Sequence, residues 1–328
     1  TKVFFGHLVA SGSLATLFDF ENMGIFESVH NSYKFCLLTL SGAPVPRGDL
    51  AFFLHDVAEL RGDTGRRFQL SPADFALINP NTKTCPTFRT RADADLTRQI
   101  YGHVPVLIKE PGTDKDGRAV AGENPWGVRF MAMFHMSNDS GLFHDAPAPG
   151  LVPLYEAKLF HQFTHRWATY TADGATRDAT PDELADPSFA VRPRYWVEKR
   201  EVDAKLANKW DREWLLTYRM MASPTNERTW MVSALPRVAV GHSASVCMLS
   251  GAPDTHSVFL LANVNNLVTD YVMRLKAGGA NLSYFVVNQL PVLPPERYDA
   301  KDRAFIVPRV VELTSVSYTH LRAHETRE

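Results

Sequence analysis

The chain has 328 residues, 45% hydrophobic and 22% charged, with a formal net charge of -1. This composition excludes an intrinsically disordered chain and supplies no global electrostatic pull toward nucleic acid. No apolar run reaches the about 18 residues that a membrane-crossing helix needs. The cysteines Cys36, Cys85 and Cys247 stand far apart with no CxxC pair, which argues against a disulfide scaffold or a zinc ribbon and fits a reducing cytoplasm.

Residues 2–12 carry apolar positions at helical spacing and stop at Ser11-Gly12. Leu14–Phe20 reads as a buried strand, Asn22-Met23-Gly24 as a turn, and Tyr33–Leu40 as a second strand. Helix, strand, loop, strand is the order of a closing α/β sheet edge. Residues 1–40 are too few to form a domain, so the expectation is that the rest of the sheet precedes them and that this edge, alone, favours association. Ser41 to Gly48, dense in Pro, Gly and small residues, reads as a linker.

Beyond the linker, short strands such as Leu50–Leu54 and Val128–Phe134 alternate with helices. One helix is expected to start at Ser71-Pro72 and another to cover 92–102. Residues 111–124 and 171–189 read as irregular stretches. Val258–Lys276 has helical periodicity and a stop at Gly278-Gly279, and Phe305–Leu313 promises one more helix. Residues 314–328 carry no apolar face and read as non-native sequence.

Local charge departs from the global balance. Arg192 to Arg237 holds ten Lys or Arg against six Asp or Glu, a surplus of +4, which suits phosphate contacts and equally suits solvated helix faces. No GxSxG, HExxH, Walker A or GxGxxG motif occurs. His161 and His165 have the spacing of a metal pair on one helix face, but a protease glutamate and a third ligand are missing, so no metal is expected. Asn124-Pro125-Trp126-Gly127 lacks the second proline of an amino-methylating motif and reads as a turn opening the strand at Val128.

Three polar groups carry more information. The first is Tyr155 to Trp167. The second is Tyr218-Arg219 with Pro224 to Thr229. The third joins Asn263, Asn265, Asn266, Asp270, Tyr271, Arg274 and Lys276 with Asn281 and Gln289. They mix base-reading and phosphate-binding side chains with aromatics, and would serve equally as caps and buried networks.

In these blocks the chain resembles the C-terminal part of large N6-adenine-specific DNA methyltransferases of type II restriction-modification and related phage-defence systems. The resemblance runs in order through Leu17–Asn22 with Val29–Thr39, Asn79–Thr82 with Cys85-Pro86, Tyr155–Lys158 with His161–Phe163, Thr225–Thr229, and Gln289–Val292. It covers residues 1–313 and implies an α/β fold: the C-terminal edge of a Rossmann-like methyltransferase sheet in 1–40, followed by a mixed α+β target-recognition domain in 49–313. S-adenosylmethionine would be the cofactor of the parent enzyme, whose binding and catalytic motifs are absent here, so this chain alone is expected to be inactive. The implied partners are double-stranded DNA and a cognate restriction endonuclease. A stand-alone DNA-specificity subunit and the recognition part of a fused methylase-endonuclease remain as alternatives. Within the recognition half, Lys158, Arg166 and Lys276 are expected to clamp phosphates, and Gln162, Asn226 and Arg228 to read bases. His165, Arg194 and Arg219 are expected in either role.

Overall fold

The computed structural model describes residues 2–113, 117–221, 223, 225–249, 251–277, 279 and 281–315. The expected tail therefore lies outside the described residues from 316 onward, as do Pro224 and the Gly278 of the predicted helix stop. The described chain divides into two compact units. One runs up to Glu123 and takes back the short segment Asn288–Pro291; the other takes Asn124–Val287 and the described chain from Val292.

The first unit contains α1 (Lys2–Ser11), β1 (Leu14–Glu21), β2 (Lys34–Leu40), β3 (Gly48–Leu54), β4 (Phe68–Leu70), α2 (Pro72–Ile78), α3 (Arg91–His103) and the small hairpin β5 (Gly112–Thr113) with β6 (Ala119–Val120). The main sheet has the order β2-β1-β3-β4. β1 pairs antiparallel with β2 but parallel with β3, Leu17 facing Leu50 and Phe18 facing Ala51. The expected linker at 41–48 lies between two strands of this sheet. That stretch is a loop inside one sheet, tied down by Ser41 N donating to Ser13 O (2.8 Å) and Val45 N to Gly12 O (2.9 Å). Its Pro and Gly content turns the chain so that β3 can lie beside β1. The sheet is thus mixed, with Phe20, Ala51 and Leu54 at its buried centre and Phe18, Phe35 and Leu60 packed on them.

The helices start where the sequence places them because their first turns are chemically complete. Ser71 and Asp74 form a reciprocal capping box at α2, with Pro72 at the first helical position, and Thr90 and Asp93 do the same at α3. The Asn79–Thr82 block meets Gln289 here. Gln289 Oε1 accepts from Asn81 N (3.1 Å) and Thr82 N (3.3 Å), and Leu107 N donates to Leu290 O (2.8 Å). Two distant sequence blocks are therefore one hydrogen-bonded structure.

The second unit contains β7 (Val128–Met131), β8 (Leu151–Tyr155), β9 (Ala168–Tyr170), β10 (Thr176–Asp178), α4 (Pro181–Ala185), β11 (Trp196–Glu198), α5 (Lys199–Leu206), β12 (Trp214–Arg219), β13 (Val232–Pro236), β14 (Ala239–Val240), β15 (Ala244–Leu249), α6 (Asp254–Val264), α7 (Leu267–Lys276), α8 (Tyr284–Val287) and α9 (Ala300–Thr314). Its core sheet has the order β13-β12-β15-β7, antiparallel throughout, and every residue of β15 is buried. A second sheet runs β11-β8-β14.

Asn124 makes the expected turn: its side-chain amide donates to Val128 O (3.0 Å) and its Oδ1 accepts from Val128 N (3.1 Å), while Gly127 takes a φ of +59°. Trp126 is buried against His256 and Tyr298. The single helix expected over Val258–Lys276 is instead two, broken at Asn265-Asn266. Asn266 caps α7 through Thr269 N (2.8 Å), and Asn265 leaves the helix to bond elsewhere. Among the described residues no helix is long and apolar enough to cross a membrane, and the three cysteines are free.

The edge strand β2 carries Leu37, Leu38 and Leu40 exposed on both of its faces, next to exposed Phe26 and Tyr33. Unpaired backbone combined with apolar faces is the signature of a surface prone to association. Leu37→Lys with Leu40→Lys should lower self-association, read by light scattering, and leave the melting temperature within a few degrees of the parent. Unchanged scattering would refute that role for β2.

Candidate nucleic-acid interface

The nine residues expected at the interface all belong to the second unit, and most of them gather where two loops meet. One loop runs from Phe160 to Trp167, after a 3-10 turn at Ala157–Leu159. The other connects β12 to β13, which pair with Tyr218 facing Val232. The loops are braced to each other. Phe163 N donates to Val232 O (3.1 Å), Gln162 Nε2 to Trp230 O (3.2 Å), and Arg219 Nε to Phe160 O (2.8 Å). Phe163 takes a φ of +63°, a conformation costly for a bulky side chain, and the surrounding bonds hold it there. Because this loop is a tight turn, with His161 and Thr164 exchanging backbone bonds, His161 and His165 do not share a helix face.

Helix α7 grips the second loop. Asp270, almost wholly buried, accepts through Oδ1 from Thr229 N (2.7 Å) and Trp230 N (3.0 Å). Arg274, one turn further on, donates to Asn226 O (2.9 Å) and Glu227 O (3.0 Å) and pairs with Asp270 Oδ2 (3.2 Å). From the break before α7, Asn265 exchanges two bonds with the backbone of Val232 (3.1 and 2.9 Å). Side chains of α7 and its cap thus satisfy backbone groups that a surface loop would otherwise leave to water.

On the outer side of this frame lies a mixed patch. His161 packs against Trp167 with ring centres 4.4 Å apart, and Trp167 is 36% exposed. Burial pulls the His161 pKa down to about 4, reinforced by the charges of Arg219 and Arg228 and opposed by Glu227 and Asp178. His161 is therefore neutral at neutral pH. Asn226 is exposed and Arg228 half-buried beside it. Arg228 stands close enough to His161 for its charge to be felt there, and a partly exposed aromatic face near a guanidinium can stack on a base or grip a phosphate.

Four of the expected residues are buried or engaged by backbone groups. Arg166 is 0% exposed and donates to the carbonyls of Leu184 (2.9 Å), Asp186 (2.6 Å) and Phe189 (3.4 Å), filling the open C-terminal end of the short helix α4. No phosphate can reach it, so the expected clamp is corrected to a cap. Gln162 has its amide nitrogen engaged by Trp230 O and Asn265 O (3.4 Å), His165 is buried, and Arg219 holds Phe160 O. Arg219 keeps its charge at neutral pH although burial lowers its pKa to about 10.

The remaining five differ in availability. Lys158 is half-exposed, with its ammonium 4.6 Å over the Tyr170 ring and 3.8 Å from Glu156. Arg194 is exposed and stacks on Tyr195. Asn226 and Arg228 belong to the patch. Lys276 is half-buried at the end of α7, and desolvation brings its pKa down to about 7, so it is only partly charged at neutral pH. Sequence reasoning did not pick out Trp167, Asp270 or Arg274 for the site. Trp167 ends the first polar block and could have been found by its aromatic type. The α7 pair acts on a loop about 40 positions away, which no local pattern reports.

Elsewhere, Arg47, Arg67, Arg91 and Arg98 ring a cleft of about 490 Å³ in the first unit. Asp49 pairs with Arg67, Asp63 with Arg91, and Asp74 and Asp95 with Arg98, so its charge is largely compensated internally. Among the described residues no cluster of three or more His, Cys, Asp or Glu side chains is arranged to hold a metal.

No protein-family model matches the chain, and no curated protein matches it. Among solved structures it is similar to that of the type IIG restriction endonuclease BpuSI, with 11% identity and a TM-score of 0.37. The match covers 95% of this chain and 40% of that one, so the chain spans well under half the length of that protein.

Two outcomes follow from these environments. Arg166→Met should cost about 2–4 kcal/mol of stability by stranding buried carbonyls, measured by denaturant unfolding; a loss below about 1 kcal/mol would contradict the cap. For Lys276 the folded pKa of about 7 lies below the ordinary 10.5, so the unfolded chain binds the extra proton and this group's contribution to stability rises with pH between those values. Lys276→Met should therefore raise the melting temperature most at pH 6 and progressively less toward pH 10. A gain independent of pH would refute the burial.

Proposed function

We propose that the chain is the DNA-recognition portion of a site-specific, N6-adenine DNA methyltransferase of a restriction-modification or related phage-defence system. Duplex DNA is its partner, and a cognate restriction endonuclease acts on the same sites. The ordered blocks from Leu17 to Val292 support the family. The observation that carries the DNA reading is the patch of Trp167, Asn226 and Arg228 on two cross-braced loops.

In this reading Arg228 and Asn226 approach base edges, Trp167 offers an apolar face, and Lys158 and Arg194 hold phosphates. Gln162, His165, Arg166 and Arg219 keep the loops in shape. Lys276, half-charged when free, gains a proton as it meets a phosphate, so its share of binding weakens as pH rises above 7. S-adenosylmethionine supplies the methyl group in the catalytic domain of the parent enzyme, and no step of that transfer uses residues of this chain.

The test is duplex binding by the 328-residue chain, followed by fluorescence anisotropy across a salt series. With Lys158, Arg194 and Lys276 as the phosphate-facing cations, log K should fall against log salt with a slope of about -2 to -3. Arg228→Ala should cost about 1–3 kcal/mol and either relax one base position in a randomised duplex pool or flatten the slope by about one. No duplex binding, or an Arg228→Ala protein with unchanged affinity and sequence choice, would dispose of the reading.

A further inference from the structure

We propose that Arg274, held by Asp270, is the positioning residue of the loop Asn226–Trp230, setting where Arg228 and Asn226 stand when the chain engages DNA. This inference rests on the DNA reading above. Its geometry is unusual in economy of parts: two side chains one helical turn apart hold four backbone groups within five consecutive residues. Asp270 takes the N–H groups of Thr229 and Trp230, and Arg274 takes the carbonyls of Asn226 and Glu227. The two handles close on either side of Arg228, the residue between them.

The loop has little of its own to hold it. At its start Asn226 N donates to Ser223 O (3.1 Å) and Thr225 N to the Ser223 hydroxyl (3.2 Å), and Asn226 and Glu227 are exposed. Thr229 and Trp230 anchor the far end of the loop by burial, while the exposed Asn226 and Glu227 side chains leave the shape of its outer part to bonds from a neighbour. Helix α7 supplies that neighbour on a rigid element: Asn266 caps its first turn, and Asn265 anchors the preceding residue to β13. The Arg274 fork spans two adjacent carbonyls, a geometry that a lysine ammonium, acting as a point donor, does not reproduce. Arg274 thereby acts through the loop rather than on the partner itself.

A double-mutant cycle tests this on the 328-residue chain with a short mixed-sequence duplex, at a temperature where every variant is folded by its own melt. Arg228→Ala and Arg274→Met should each weaken binding by about tenfold, and the double variant should be no weaker than either single one within about twofold. Arg274→Lys should behave like Arg274→Met, because the charge is kept and the fork is lost. Additive losses would overturn the proposal, as would an Arg274→Met protein that binds like the parent. An Arg274→Lys protein with parental affinity would overturn it too, making Arg274 a direct phosphate contact. Failure of the parent chain to bind any duplex would sink the DNA reading first, and this inference with it; parental binding with an additive cycle sinks the positioning role alone.

Discussion

The buried carboxylate of Asp270 is the interaction on which the candidate interface depends. A carboxylate placed where water cannot solvate it is costly unless it is paired and hydrogen-bonded. Here two loop N–H groups and the Arg274 guanidinium meet it from different sides. The same bonds that make its burial tolerable fix the β12–β13 connection to α7. Stability and shape are therefore one requirement at this point, and the loop can present its side chains outward because its backbone is already satisfied.

The scheme recurs at smaller scale around it. Asn265 imitates a strand edge toward Val232, Gln162 bridges Trp230 and the end of α6, and Arg166 closes the last carbonyls of α4. Each is a polar side chain that terminates or joins irregular backbone. A protein rich in loops needs many such groups, since every buried N–H and C=O must find a partner.

This explains which parts of the molecule were legible in the sequence. The capped starts of α2 and α3, the strands β1 and β2, and the Asn124 turn depend on neighbours within a few residues, and local pattern reports them. The parallel pairing of β3 with β1 was hidden because a Pro- and Gly-rich loop inside a sheet looks the same as a linker between domains. The break at Asn265-Asn266 was written in residue type, but its cause, Val232, lies over 30 positions away. Most concealed of all were the roles of the polar site residues. Arg166, Gln162 and Arg219 have the composition of a nucleic-acid surface and the bonding of a scaffold, and only the position of distant carbonyls separates the two.

Charge counting fails for the same reason. About half of the surplus between Arg192 and Arg237 is matched by acids outside the stretch, Asp139 and Asp254, and several of its cations are engaged locally. Arg237 meets Asp203 and two carbonyls, Arg212 meets Asp254 and Asp211, Lys205 approaches Asp139, and Arg219 holds Phe160 O. In that stretch Arg192, Arg194 and Arg228 have neither a carboxylate nor a carbonyl partner among the described residues. So few available cations cannot generate a strong field over a surface whose net charge is close to zero, and screening at physiological salt weakens what they do generate. A nucleic-acid grip built this way has to come from a small number of contacts placed well, which shifts the burden from total charge to loop geometry. That is why the bonds from α7 to residues 226–230, which touch no partner themselves, weigh as much in the functional reading as Arg228, the cation they flank.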